Sequence, residues 1–216
     1  MVDGRARALF VWVVLLSVGP IAHGQSDLLD VAIEEAICGM DFDVVSDSLS
    51  ICGDVRVDAE RMTAFVRRHN PKFDQAIAEA YIEVGRRYGL RGDVAFCQAI
   101  VETGWFRFGG GTAVKPDDHN YCGLGVVRPG RRGVRFATVD EGVTAHLQHL
   151  YAYAVPCGGK MPDLPEGERL VDPRFGAVAR GSASSWHDLS GRWAQNKRYG
   201  ERILKIYSDL LVFTGE

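Results

Sequence analysis

Residues 93–105, DVAFCQAIVETGW, are the stretch that decides the fold. Apolar side chains fill nearly every position between Asp93 and Glu102, so they cover all sides of the helix that this segment predicts. A helix that is apolar all around is buried, and other helices must pack around it. We expect Asp93 to cap its start. Gln98 and Glu102 are four residues apart and share one face, which should meet other polar groups.

Amphipathic helices are predicted before this buried segment. Residues 57–70 and 72–89 place apolar side chains three and four positions apart, which is the period of one helix face. Pro71 separates the two runs, and Gly89 suits the left-handed residue that commonly ends a helix. Both helices should cover the buried one and expose their polar sides.

Further helices are predicted downstream, with one short β element between them. Thr138 and Glu141 have the spacing of a capping box that begins a helix ending near Pro156, and residues 199–213 form a final amphipathic helix. Residues 123–138 contain two short extended runs around a Pro-Gly turn, which predicts a small β-hairpin. The predicted fold class is mainly α, in a single domain with a small hairpin lobe.

Length and charge exclude several classes of protein. The 216 residues are 46% apolar, which is enough for the core of one domain. The chain carries 25 basic and 28 acidic residues, so no excess of positive charge indicates binding to nucleic acid or to an anionic membrane. A partner must therefore be inferred from a site.

The N-terminal residues 1–24 have the pattern of a secretory signal peptide. Arg5 and Arg7 precede an apolar run that is shorter than the roughly 20 residues that span a bilayer. Small residues at 22 and 24 predict cleavage before Gln25, and no other stretch is apolar enough to cross a membrane. We expect a secreted or periplasmic protein with an N-terminal arm, residues 25–58, and a main body, residues 59–216.

The five cysteines all follow the predicted cleavage site, where oxidation is possible. Cys38 and Cys52 bracket a polar loop that a disulfide would close, Cys122 with Cys157 is a second candidate pair, and Cys97 is expected as a packed thiol. A zinc site is the competing hypothesis for Cys122 and Cys157 with His119, His146 and His149. Because no CxxC or HExxH spacing occurs, we predict no metal and no cofactor.

Glu102 is the candidate for chemistry. The apolar helix around it and its place in the last turn, where the helix dipole disfavours negative charge, should both raise its pKa. A carboxylic acid that keeps its proton can protonate the leaving oxygen of a glycosidic bond. The alternative is a structural glutamate that only hydrogen-bonds Gln98 or a loop amide.

Four segments together resemble a known family. AFCQAIVETGW resembles the catalytic helix of the bacterial glucosaminidases of glycoside hydrolase family 73, and HNYCGLGV resembles the loop of that family with an asparagine and an aromatic residue before a glycine. FATVDEGVTAHLQHLYAYA resembles the helix after its β-lobe. The segment LVDPRFGAVARGSASSWHDLSGRWAQNKRYGERI is similar to its closing part. The resemblance covers roughly residues 61–211.

The resemblance implies a lysozyme-like fold with a groove for the glycan strand of peptidoglycan. Glu102 would be the general acid, and Tyr199 would face it across the cleft and hold the acetamido sugar. Asn120 and Tyr121 would form part of the groove wall, by hydrogen bonding and by stacking. Trp193 is expected in the core.

One departure from the family concerns the second acid. Many relatives carry a carboxylate on the β-lobe, whereas the hairpin of this chain has none. Glu141 is explained by its capping position, and Asp117 and Asp118 are further candidates. Otherwise the acetamido group of the substrate would act as nucleophile, or a water would be held without a strong base.

The function predicted from the sequence is a secreted endo-β-N-acetylglucosaminidase that acts on peptidoglycan. The alternatives are a lytic transglycosylase, which forms a 1,6-anhydro product, and a binding protein that keeps the groove without catalysis. A peptidase using Cys97 is disfavoured because a buried thiol is normally inert. The expected partner is the peptidoglycan glycan strand, with no nucleic acid and no membrane after cleavage of the signal peptide.

Overall fold

The apolar helix predicted from residues 93–105 lies at the centre of the structure. The computed structural model describes residues 48–109, 113–126, 132–156, 158 and 163–214. Five α-helices account for most of the regular structure in those ranges: α1 (Ala59–Arg67), α2 (Gln75–Tyr88), α3 (Gly92–Thr103), α4 (Val139–Ala154) and α5 (Tyr199–Val212). Three short 3₁₀ turns join them at Pro116–Asp118, Phe175–Ala177 and His187–Leu189. The prediction of a mainly α fold is confirmed.

Helix α3 is buried along most of its length, as its composition predicts. Every residue from Gly92 to Ile100 is enclosed, because α2 packs on one side of the helix and α5 on another. Helix α4 packs against α2, and α1 packs against both α2 and α5. Two glycines allow α2 and α3 to meet closely: a Cβ on Gly92 would lie 2.0 Å from the carbonyl oxygen of Tyr81, and one on Gly85 would lie 2.8 Å from the Cα of Gly92.

The predicted helix ends are largely those observed. Asp58 accepts a hydrogen bond from the backbone N–H of Arg61 at 2.8 Å, and Gly89 ends α2 in the left-handed conformation, with φ of 62°. The Thr138 hydroxyl accepts from the N–H of Glu141 at 3.2 Å and so begins α4. Each cap satisfies a backbone group that the helix itself leaves without a partner.

The expectation that Asp93 caps α3 is wrong. The helix begins two residues earlier, at Gly92, with Arg91 at the capping position, and Asp93 is fully enclosed. Its carboxylate accepts hydrogen bonds from the backbone N–H of Arg56 at 2.8 Å and from the hydroxyl of Tyr207 at 3.1 Å. The carboxylate of Asp93 therefore links three parts of the chain: the segment before α1, the start of α3, and α5.

The small β-hairpin is not confirmed. Its turn, residues 127–131, lies outside the described residues, and the flanking described residues form no strand. One backbone hydrogen bond, from Val134 N–H to Leu124 C=O at 2.8 Å, joins the two sides. The β-pairing within the described ranges consists of isolated bridges, such as Ser50 with Ser185 and Cys52 with Leu90.

The described end of the N-terminal arm packs onto the helical body. Ile51 is fully buried, and its backbone exchanges hydrogen bonds with Ser184 and Arg91, at 2.9 and 3.0 Å. The predicted signal peptide and residues 25–47 lie outside the described residues. Among the described helices, none combines the length and the apolar character needed to cross a membrane.

The predicted disulfides are not confirmed. Cys52, Cys97 and Cys122 are free thiols, while the intended partners Cys38 and Cys157 lie outside the described residues. Cys97 is buried in α3, and burial raises its pKa well above the ordinary value. A thiol in that setting stays protonated and unreactive, as expected for a packing residue.

Candidate active site

A cavity of about 530 Å³ opens at the C-terminal end of α3. Its walls come from α3, α4, the segment 113–126 and the segment 174–194, and they include Glu102, Leu124, His149, Tyr153, Arg174 and Trp193. Cavities of this size hold small ligands such as a sugar unit. The acid that the sequence singles out therefore lies at an open space and not in the sealed core.

The chain turns sharply directly after Glu102. Gly104 ends α3 with φ of 60°, and Trp105, Phe106 and Phe108 also have positive φ, between 50° and 64°, which is uncommon for residues other than glycine. The side-chain amide of Asn70 donates to the carbonyls of Trp105 and Phe106 and holds this turn in place. Strained backbone of this kind is often found beside functional groups. This turn was not predicted from the sequence.

The pKa of Glu102 is raised, mainly because burial disfavours its charged form. Hydrogen bonds from the Tyr199 hydroxyl and the Trp193 indole, and the positive charge of Arg202, act in the opposite direction. The predicted direction is thus confirmed. The carboxyl group combines a raised proton affinity with donors that would stabilise the carboxylate once the proton has left.

Tyr199, the first residue of α5, lies beside Glu102. Its ring is 3% exposed, and its hydroxyl donates to Oε1 of Glu102 while accepting from the side-chain amide of Gln98 at 2.9 Å. Gln98 and Glu102 thus share one face of α3 and meet a common polar partner, as their spacing predicts. Tyr199 is in direct contact with the acid, whereas the resemblance placed it across an open cleft.

Two further residues extend this contact into the core. Oε1 of Gln98 lies 3.2 Å from Nε2 of His146, and Nδ1 of His146 lies 2.7 Å from the hydroxyl of Tyr81. Burial lowers the pKa of His146 to about 3, so its ring is neutral. Because an amide oxygen only accepts, Nε2 donates to Gln98 and Nδ1 accepts from Tyr81. We call Tyr81, His146, Gln98 and Tyr199 the buried polar chain; it fixes Tyr199 behind Glu102.

Asn120 and Tyr121 lie behind the cavity wall. Asn120 is fully buried; its amide donates to the carbonyls of Leu124 and Val134, both at 2.9 Å, and its oxygen accepts from the N–H of Leu124 at 3.0 Å. Tyr121 is 1% exposed and packs edge-on against Tyr81. Neither is among the residues that line the cavity, so both support the loop that does. Their contact with a sugar stays a prediction.

The cavity wall also carries His149, which contacts a buried aspartate behind the wall, a pair that was not predicted from the sequence. Nδ1 of His149 lies 2.7 Å from Oδ2 of Asp172, whose side chain is fully enclosed. Trp193, which was expected in the core, is half-buried; its ring lies 5.0 Å from the His149 ring, between centroids, and lines the cavity.

Glu102 is the only acid among the described residues that line the cavity. Asp117 is exposed, and Asp118 is buried, where it accepts from the N–H of Lys115 at 2.9 Å and pairs with Arg132 at 3.3 Å. Glu141 caps α4 and pairs with Arg169 at 2.7 Å. Over the described ranges, no cluster of three His, Cys, Asp or Glu residues is arranged to hold a metal ion.

Comparison with known proteins identifies a relative and a family for this chain. An uncharacterized protein of Borreliella burgdorferi is 33% identical over 164 residues, which cover 74% of this chain and 76% of that protein. No solved structure matches the chain. The model of the family described as mannosyl-glycoprotein endo-beta-N-acetylglucosaminidase matches residues 78–211. Because that match covers more than half of the chain, including α3 and the described residues that line the cavity, the chain belongs to this glucosaminidase family of glycosidases.

Proposed function

We propose that the protein is a secreted peptidoglycan hydrolase that cleaves the glycan strand on the reducing side of N-acetylglucosamine. Glu102 is the general acid of this reaction. The observation that carries the proposal is a carboxyl group with a raised pKa at the wall of a sugar-sized cavity, inside a glucosaminidase domain. The predicted signal peptide supports an extracellular substrate.

The surroundings of Glu102 suit both halves of a proton transfer. Burial favours the protonated form before the reaction, so the acid is ready to protonate the glycosidic oxygen. Once the proton has left, the hydroxyl of Tyr199 and the indole of Trp193 are already in place to hydrogen-bond the carboxylate. These donors need no rearrangement during the step, because the buried polar chain holds Tyr199 and cavity contacts hold Trp193.

The test is a product analysis of purified peptidoglycan digested by wild type and by Glu102→Gln. Fragments are reduced with borohydride and identified by mass spectrometry. N-acetylglucosaminitol at the new ends is the expected product of wild type, and we expect Glu102→Gln to release about 100-fold less or lower still. Glu79→Gln is the matched control, because Glu79 is exposed on α2 away from the cavity and should leave the activity unchanged.

The same digest separates the alternative functions. A 1,6-anhydro end would indicate a lytic transglycosylase, and reduced muramic acid would place the cleaved bond on the other sugar. Binding to peptidoglycan without any release of fragments would indicate a binding protein. Equal activity of wild type and Glu102→Gln would exclude Glu102 as the acid.

A further inference from the structure

We propose that His149, oriented by Asp172, is the general base that activates the attacking water on the cavity wall. The inference rests on the proposed function and names the second group of that reaction. The cavity offers no second carboxylate among its described lining residues, and His149 is the side chain there with a free acceptor for a proton. The reaction is then a direct displacement that inverts the anomeric carbon.

The contact with Asp172 decides which nitrogen of His149 can act. A carboxylate only accepts, so the 2.7 Å contact requires that Nδ1 carry the hydrogen and donate to Oδ2. In the neutral ring this leaves a lone pair on Nε2, on the other side of a ring that lines the cavity and is 13% exposed. An aspartate that fixes a histidine tautomer in this way is the arrangement that makes imidazole a directed base.

Asp172 is itself held firmly. Its Oδ1 accepts from the N–H of Arg174 at 2.7 Å, and its own N–H donates to Oε1 of Gln148 at 2.8 Å. Gln148 is fully buried in α4, and it also accepts from the N–H of Val171 at 2.8 Å and donates to the carbonyl of Arg169 at 2.7 Å. The segment that carries Asp172 is thus fastened to the helix that carries His149, which fixes the orientation of the ring.

Trp193 relates the proposed base to the acid. It lines the same cavity as Glu102 and lowers the pKa of that acid, and its ring meets the ring of His149 nearly at right angles, with centroids 5.0 Å apart. Glu102 and His149 therefore border one cavity with an aromatic ring in contact with both. In an inverting glycosidase the acid and the base stand apart on the two sides of the scissile bond, which leaves room for a water.

The step balances in atoms and charge. Glu102 gives its proton to the glycosidic oxygen as the bond from that oxygen to C1 breaks, which leaves a free hydroxyl on the departing sugar. The oxygen of a water bonds to C1 from the opposite face, and its proton passes to Nε2 of His149. The products are an α-hemiacetal from a β-linkage, a Glu102 carboxylate and a protonated His149. One proton returned from His149 to Glu102 through solvent restores the starting state.

The experiment follows the anomer that wild type releases from a soluble glycan-strand fragment, by proton NMR before mutarotation. We expect the α-anomer first. His149→Gln should reduce turnover by about 100-fold or more with unchanged thermal unfolding. Azide added to that variant should restore turnover and give the α-glycosyl azide, because a small anion replaces the activated water and needs no base. His187→Gln, at an exposed position of a 3₁₀ turn, is the matched control and should behave as wild type.

Asp172→Asn tests the positioning role. It should lower kcat more than it raises KM, and by less than the loss in His149→Gln, because the ring remains but its tautomer is no longer fixed. A β-anomer released first, full turnover in His149→Gln or a loss that azide does not restore would each overturn the inference. If His149→Gln does not fold, the anomer released by wild type decides. Glycan cleavage that needs Glu102 but not His149 would leave the proposed function standing, whereas no cleavage by wild type would overturn both.

Discussion

Helix α3 carries two buried acids, one near each end. Asp93 lies near the start and Glu102 in the last turn, and each accepts a hydrogen bond from a tyrosine of α5, from Tyr207 and Tyr199 respectively. Burial is the main reason that the pKa of each is raised. In charge, in the direction of the pKa change and in the type of partner, the two acids look alike.

They differ in what else surrounds them. Asp93 is fully enclosed and also accepts from two backbone N–H groups, those of Arg56 and Val94. Glu102 borders the cavity, and its hydrogen bonds come from side chains. An acid that is satisfied by fixed backbone donors stabilises a fold, whereas one with an open side can meet a substrate. Burial and a raised pKa are therefore weak signs of catalysis without open space next to the group.

The largest effect expected from this comparison is on activity. Glu102→Gln should lower the release of glycan fragments by about 100-fold or more, because general acid catalysis is lost while the shape of the side chain is kept. Asp93→Asn should retain the activity of wild type in all molecules that remain folded. Parallel digests at equal concentrations of folded protein make the measurement. Similar losses in both variants would contradict the division into a catalytic and a structural acid.

The second effect is on stability, which should depend on Asp93 and not on Glu102. Asp93→Asn should lower the free energy of unfolding by about 1–3 kcal/mol, because an amide has one acceptor oxygen and its NH₂ group would face the donors of Arg56 and Tyr207. Glu102→Gln should unfold near the wild-type denaturant concentration. Urea titrations of both variants at neutral pH test this. A stable Asp93→Asn protein would mean that water reaches the site.

Much of the fold could be predicted from local sequence. The periods of α1, α2, α4 and α5 and the caps at Asp58, Gly89 and Thr138 are local signals, and the structure keeps them. The composition of residues 94–101 also predicts that α3 is buried. The role of Asp93 was missed because its partner, the N–H of Arg56, is 37 residues away and is brought close only by tertiary packing.

The site was predictable only in part, for the same physical reason. Glu102 stands out as the acid that ends an apolar run, but its contact with Tyr199 spans 97 residues and was suggested by family resemblance alone. His149 and Asp172 are 23 residues apart and are joined through an irregular segment that has no periodicity. An asparagine can hydrogen-bond a sugar, but Asn120 is buried and its side-chain amide hydrogen-bonds the backbone instead.

The third prediction compares the two tyrosines. Tyr199→Phe should lower turnover about tenfold, equivalent to about 1.4 kcal/mol, because the carboxylate formed at Glu102 loses a donor. The hydrogen bond from Tyr199 lowers the pKa of Glu102, so its removal raises that pKa further and shifts the alkaline limb of kcat/KM to higher pH. Tyr207→Phe should leave the profile in place. A shift to lower pH in Tyr199→Phe would contradict the role of that hydroxyl.

The smallest effect is the pH dependence of stability. The pKa of Glu102 in the folded protein is raised above its ordinary value of 4.5, so the folded state binds this proton more tightly than the unfolded state. The resulting stabilisation is complete below the unfolded pKa and is lost as the pH rises through the folded pKa. Glutamine does not titrate, so Glu102→Gln should gain stability relative to wild type between about pH 4 and about pH 7.

The pKa of Asp93 is also raised, so this acid serves as the internal comparison for the measurement. Asp93→Asn should also gain relative to wild type as the pH rises, but from a lower starting point, because it lacks hydrogen bonds that the native acid accepts whatever the pH. Urea unfolding of wild type, Glu102→Gln and Asp93→Asn at about pH 4 and about pH 7 separates the pH-dependent change in stability from the loss of hydrogen bonds. The free energy of unfolding could instead differ between wild type and Glu102→Gln by the same amount at both pH values. The folded protein would then hold the proton of Glu102 no more tightly than the unfolded chain does. The open space beside Glu102 alone would have to explain its chemistry.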